Sequence, residues 1–286
     1  MGRNQQSAAS PRWQSRAIFF IAVALACASI ALQCVTHLAT APATILQAFA
    51  LGALLALLTF WWRAATLAAA ITGGLATAAL YLATPGLRTA LWPLLALLLL
   101  TLAATRFGRA RKQSIGLAEG PHGRRASQVA ANLGVAVLAS VPLSFARVFL
   151  VPGPLGGTPM RVALAAALAE AAADTLSSEF GEVLGGEPRL LTTLRPVPAG
   201  TDGAVSAAGT LAGIFGAVLV AISAALALNF TSGQAALVAL AAIAGLFIDS
   251  LLGGLLERRG WLNNDAVNFL SGLSAAIIAA LVAARY

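Results

Sequence analysis

The chain has 286 residues, of which 59% are hydrophobic and 10% charged, with a mean hydropathy of +0.86. A soluble domain carries roughly 25% charged residues, so a single soluble domain of this length is excluded. The absence of alternating ten-residue segments excludes an outer-membrane barrel. The net charge of +8, from arginines and a single lysine, would suggest nucleic acid on a soluble chain. In so apolar a chain it indicates loops facing an anionic membrane surface, and no nucleic-acid partner is expected. Ala and Leu dominate the apolar residues, which favours helices. The expected fold is an all-α, polytopic transmembrane helical bundle in the lipid bilayer.

About 20 apolar residues cross a hydrocarbon core. Nine runs qualify: 17–37, 43–62, 64–84, 89–106, 127–150, 160–179, 204–228, 233–256 and 264–284. The first follows a basic tail (Arg3, Arg12, Arg16), and Ala39-Thr40-Ala41 resembles a signal-peptidase site. A cleaved signal has a core of about 7–15 residues; this run is longer, so a retained first span is expected. Cys27 and Cys34 lie seven apart, face one way and read as packing residues. His37, near the far end of that run, reads as a solvated interfacial residue.

Loop charge sets the orientation. With the N-terminus inside, the cytoplasm receives the three tail arginines, then Arg63, then Arg106, Arg109, Arg111, Lys112, Arg124 and Arg125. Arg189, Arg195, Arg258 and Arg259 follow, making fourteen of the 18 basic residues. Residues 1–63 form a tail and two bland spans, and ordered polar residues begin near residue 100.

Ionisable groups inside spans are costly and mark function. Glu170 and Asp174 in the sixth run share a helix face at i,i+4, and Asp249 lies in the eighth. Two carboxylates so placed repel unless a cation or proton sits between them. The bland alternative pairs them with Arg147 or Arg161. Glu179 joins them only if the helix ends or kinks near Ser177-Ser178. At 1.5 Å per residue, Asp174 and Asp249 sit about 9 and 12 Å from the cytoplasmic end. Asn132 and Asn268 lie at the same level on two other spans. The seventh run carries a stripe of Ser206, Gly209, Thr210, Gly213, Gly216 and Ala217, which suits close helix packing, with Ser206 and Thr210 the candidate exceptions. Gly245 and Gly253 flank Asp249 and would leave room there for a ligand or ion. The loop Pro188–Thr193 and Pro198–Gly203 combines a fixed irregular backbone with hydroxyls and Arg189, donors suited to phosphate.

Four stretches together resemble a membrane family first defined by a domain of unknown function. Its best-understood member is the phytyl-phosphate kinase of vitamin E synthesis, and its animal member is transmembrane protein 19. The stretches are Thr105–Lys112 with Gly123–Asn132; Glu170–Gly181; Pro188–Thr193 with Pro198–Gly203 and Ser206–Thr210; and Asp249–Gly253 with Asn263–Ser271. The likeness covers about residues 65–286, leaving the first two spans outside a membrane domain at 64–286. Ala204 replaces the usual second Gly after Thr201-Asp202-Gly203, and Gly254 replaces the usual Ala.

The resemblance implies phosphoryl transfer from a nucleoside triphosphate, CTP by expectation, to a prenyl or long-chain alkyl monophosphate. On that basis Mg²⁺ is assigned to Glu170, Asp174 and Asp249, with Glu179 a further candidate. Arg124, Arg125, Lys112 and Arg189 are expected to clamp phosphates. Asn132, Thr192, Thr193, Thr201, Asp202, Ser206 and Asn268 are expected to orient nucleotide, metal or acceptor. The rival readings are a CTP-dependent cytidylyltransferase and an ion-coupled transporter or flippase; a bacterial plasma membrane is the expected location.

Overall fold

In a computed structural model the described residues are 11–118, 120, 123–149 and 157–285. Arg3, which the topology reading uses, lies outside them. The chain is almost entirely helical. The helices are α1 (Arg12–His37), α2 (Pro42–Trp61), α3 (Leu67–Ala83), α4 (Leu91–Arg106), α5 (Arg109–Ser114), α6 (Ala126–Phe149), α7 (Thr158–Leu184), α8 (Ala207–Leu228), α9 (Ser232–Leu252) and α10 (Asn264–Ala283). A two-residue ribbon pairs β1 (Arg189–Leu190) antiparallel with β2 (Ala204–Val205), and a π-helical turn, Gly253–Glu257, follows α9. Among the described residues six helical segments are long and apolar enough to cross a membrane: α1, α2, α6, α8, α9 with its π turn, and α10. Helices α3 and α4 are apolar but shorter.

Helix α7 is the axis of the bundle. It packs against α4, α6, α8, α9 and α10, and every residue from Val162 to Ala173 is buried. A helix hydrophobic on all sides belongs inside a protein, and its alanines let neighbours come close. Gly209, Gly213 and Gly216 of α8 lie against it: a Cβ on them would come within 2.6, 2.9 and 3.1 Å of the carbonyl oxygens of Ser177, Ala173 and Ala172. The stripe is therefore a packing face. Helix α1 packs on α6 and α2 on α3, closing the bundle on the other side.

One end of the bundle gathers the polar loops. Gln14 Nε2 donates to the Trp261 carbonyl (2.9 Å), and Asn263 Nδ2 to that of Pro11 (2.9 Å), which ties the start of α1 to the start of α10. Arg124 N–H donates to Ala64 O (2.9 Å) and Thr66 N–H to Arg124 O (3.0 Å), which docks the segment before α6 on the segment before α3. Gly123, at φ +70°, makes that docking possible, since a Cβ there would lie 2.3 Å from the Ala64 carbonyl carbon.

Four expectations change in detail. Helix α7 runs straight on to Leu184, five residues past the expected edge, without a break at Ser177-Ser178. The loop after α4 contains a helix, α5, that the apolar pattern gave no sign of. Cys34 packs against the α1–α2–α3 contact as expected, but Cys27 is exposed; seven residues of a straight helix drift by about 20°, enough at the edge of a seam. His37 is half-buried with Nε2 enclosed and unpartnered, because the following turn folds back on it through Thr40 and Ala41 N–H bonds to its carbonyl.

Candidate active site

The carboxylates of α7 meet those of α9 inside the bundle. Asp249 lies within electrostatic reach of Asp174, Glu170 and Glu257. Ser271 of α10 sits beside both Glu170 and Asp249 while its hydroxyl donates to Asn268 O at 3.0 Å. Glu170 is only 2% exposed, and its Oε1, like Asp249 Oδ2, is buried without a hydrogen-bond partner. Such oxygens carry a desolvation cost that a proton or cation relieves. Arg147 and Arg161 do not appear as their partners.

The room that glycines leave beside Asp249 is already taken. A Cβ on Gly245 would fall 2.6 Å from Glu170 Cγ, and one on Gly272 3.2 Å from Glu170 Oε2. These two glycines cradle the Glu170 side chain. Gly253 instead admits the backbone of Gly203, whose own Cβ, at φ +73°, would strike Gly254 N at 2.1 Å. The expectation of open ligand space between Gly245 and Gly253 is corrected: protein fills it.

Arg124 joins this cluster to the solvent-facing end. Its Nη2 donates to Thr175 Oγ1 (3.4 Å), one residue from Asp174, and its guanidinium lies within electrostatic reach of Asp174. Asn268 Nδ2 donates to Asn132 Oδ1 (3.1 Å), linking α10 to α6. Arg124 and Asn132 also line a cavity of about 390 Å³ among α2, α3, α4 and α6. Arg63, Arg106, Arg109 and Arg124 lie at its polar end, and Leu55, Leu94 and Leu97 at its apolar end.

Several expected phosphate ligands are placed otherwise. Lys112 is 1% exposed; its Nζ is paired with the Glu179 carboxylate and also donates to the carbonyls of Ala104 (3.1 Å) and Thr105 (3.0 Å). All three of its donors are used inside the fold, so it staples α5 to α4 and α7 and is not a free clamp. Glu179, which also accepts from Thr105 Oγ1 (3.0 Å), serves the same staple. Ser206 caps α8 by accepting from Gly209 N–H (3.1 Å). Arg189 Nη1 closes its own loop on Leu194 O (3.0 Å), and Thr201 Oγ1 donates to Pro198 O (2.7 Å). Thr193 Oγ1 accepts from Arg195 N–H at 3.5 Å. Thr192 faces Gly254 at the π turn. Asp202 stands on the exposed turn; the protein packed around it raises its carboxyl pKa, and Arg258 draws it back. Arg125 is exposed at the start of α6, where its N–H donates to Gln128 Oε1 (2.8 Å).

Among the described residues no group of three His, Cys, Asp or Glu side chains is placed to hold a metal ion by itself. Glu257 is a member of the acidic cluster that sequence reading missed, because it was taken as the end of a span. The π turn is what carries it toward Asp202, Asp174 and Asp265.

The profile of the integral membrane protein family DUF92 matches residues 20–276. The chain belongs to this family. The match starts within α1 and runs through α2. Among DUF92 relatives, an uncharacterized membrane protein of Methanocaldococcus jannaschii is 43% identical over 116 residues, 40% of this chain and 48% of that protein. An uncharacterized membrane protein of Synechocystis is 32% identical over 182 residues, 62% and 67% of the two chains. The chloroplast protein VTE6 of Arabidopsis thaliana is 31% identical over 183 residues, 63% and 54% of the two. The chain thus spans about half the length of the archaeal and plant relatives. No solved structure matches it significantly.

Proposed function

We propose that this DUF92 protein is a lipid-phosphate kinase that moves the γ-phosphoryl group of a nucleoside triphosphate, CTP by expectation, to a prenyl or other long-chain alkyl monophosphate. The observation that carries this reading is the place of Arg124. It lines an amphipathic cavity and stands beside Asp174, whose neighbours Glu170 and Asp249 carry buried oxygens that lack partners. A guanidinium holds phosphate bidentately; carboxylates in need of a cation, placed beside it, suit a triphosphate and its metal. The motif resemblance to the phytyl-phosphate kinase family supports the same reaction class.

An oxygen of the acceptor phosphate attacks the γ-phosphorus. The bond from that phosphorus to the β,γ-bridging oxygen breaks, and the nucleoside diphosphate leaves with the electron pair. The acceptor oxygen is already an anion at neutral pH, so no general base is needed, and catalysis is positioning plus charge neutralisation. Arg124 holds phosphate and is itself oriented by Thr175. The Asn132–Asn268 pair fixes the wall between cavity and carboxylates.

The orphan oxygens of Glu170 and Asp249 fit Mg²⁺, with Asp174 the third carboxylate. The lack of a self-sufficient protein cage fits as well, because Mg²⁺ is commonly held by one or two carboxylates plus water and substrate phosphates. When bound, the ion neutralises and orients phosphate oxygens.

The same reading places the N-terminus and the basic end in the cytoplasm of a bacterial plasma membrane, with nine crossings. In a background lacking Cys27 and Cys34, Ser114→Cys is expected to react with an impermeant thiol reagent only from inside, and Thr40→Cys only from outside. Labelling of Ser114→Cys on intact cells would overturn this topology. The activity itself is tested with purified protein, labelled CTP or ATP and a panel of prenyl monophosphates. Release of nucleoside diphosphate supports the kinase, whereas release of pyrophosphate replaces it with the cytidylyltransferase.

A further inference from the structure

The cavity among α2, α3, α4 and α6 is separate from the carboxylate cluster and is graded in polarity. From Arg109 of α5 it continues along one face of α4, past Arg106, then Thr105 and Thr101, and then Leu98, Leu97 and Leu94. Thr101 Oγ1 is buried without a hydrogen-bond partner. A hydroxyl left unpaired at the boundary between arginines and leucines is a place for a polar ligand atom. Across from it α3 presents Ala69, Gly73 and Thr77 at four-residue steps, so the wall there is close to bare helix. A Cβ on Gly73 would meet nothing nearer than Val129 Cγ1 at 3.8 Å, whereas one on the adjacent Gly74 would strike Gly52 O at 2.8 Å. Gly74 is thus a packing glycine between α2 and α3, and Gly73 keeps the cavity open.

We infer that this cavity is the acceptor's chain pocket: it takes one hydrocarbon tail, apolar end among Leu55, Leu94 and Leu97, with the phosphate among the arginines and Arg124 on the side of Asp174. The inference rests on the kinase reading and deepens it by assigning the acceptor class. At about 390 Å³ the cavity falls in the size range of small-molecule sites, which suits one hydrocarbon tail with its phosphate. Helix α2 supplies Leu55 at the apolar end and the turn after it Arg63 at the mouth, and so becomes part of substrate recognition.

The test is chain-length selectivity in Gly73→Phe, a substitution that fills the hollow, meets no backbone and favours a helix interior. With the full-length protein, kcat/KM for a fifteen-carbon prenyl monophosphate is expected to fall about tenfold or more, equivalent to 1.4 kcal/mol. For a five-carbon prenyl monophosphate it should stay within about threefold, which is 0.65 kcal/mol at the same conversion, and the nucleotide KM should not move. An equal loss at both lengths overturns the pocket assignment. Wild-type protein provides a readout that does not depend on turnover or on the variant's folding: a fifteen-carbon monophosphate with a photoreactive terminal group should crosslink to peptides containing residues 94–101 or 69–77. Crosslinking there with no phosphoryl transfer would leave the pocket standing and remove the kinase reading. Transfer with crosslinking confined to other helices would do the reverse.

Discussion

Asp249→Asn is expected to lose about a hundredfold or more in turnover, some 2.7 kcal/mol of transition-state stabilisation, without losing thermal stability. The two halves of that expectation have one cause. Asp249 Oδ2 is buried, accepts no hydrogen bond, and lies in the field of Asp174, Glu170 and Glu257. An amide of nearly the same size removes a charge that the fold does not pair, so self-repulsion falls and the midpoint of thermal unfolding should hold or rise. A residue kept against its own stability cost is retained for function. Glu170→Gln should behave alike, since its Oε1 is equally without a partner. Asp174→Asn should lose as much activity but gain less stability, because Arg124 already offsets its charge. All three carboxamide variants retaining most of their activity would dismiss the metal assignment; a large drop in unfolding midpoint would mean the carboxylates serve the fold.

Arg124→Lys should cost about tenfold or more in kcat/KM, at least 1.4 kcal/mol, while Arg125→Lys stays close to wild type. From the sequence the two arginines are equivalent neighbours before a helix. In the folded chain they part: Arg124 lines the cavity and reaches Thr175 beside Asp174, and Arg125 is exposed. Lys keeps the charge, and with it the loop's topological signal, but loses the planar fork that meets two phosphate oxygens at once. A second pair separates in the same way. Arg109 lies at the cavity mouth and Arg111 does not, so Arg109→Lys should raise the acceptor KM and Arg111→Lys should be silent. Equal, small effects at all four positions would show that these charges only orient the protein in the membrane.

The sequence by itself determined the class of fold and the level of the polar residues. Hydropathy does this because an apolar segment of about 20 residues has few places to go other than a membrane or a protein core. Helix edges fell within a few residues of the apolar runs, and the i,i+4 spacing of Glu170 and Asp174 put both on one face before any coordinates. Asn132 and Asn268, placed at one depth by counting, do bond to each other.

What only the tertiary structure decided is which neighbours each polar group meets. Lys112 and Arg124 look alike in sequence as cations in a basic loop. One is consumed by Glu179 and two carbonyls, while the other reaches a cavity wall. Gly245 and Gly73 look alike as helix glycines, yet one is filled by Glu170 and the other faces open space. The cavity itself is assembled where α2, α3 and α4 meet α6, and Glu257 reaches the acids only through a π turn. Periodicity reports which side of a helix a residue occupies. It carries no record of the neighbour on that side, and in a bundle the neighbour decides what a polar group does.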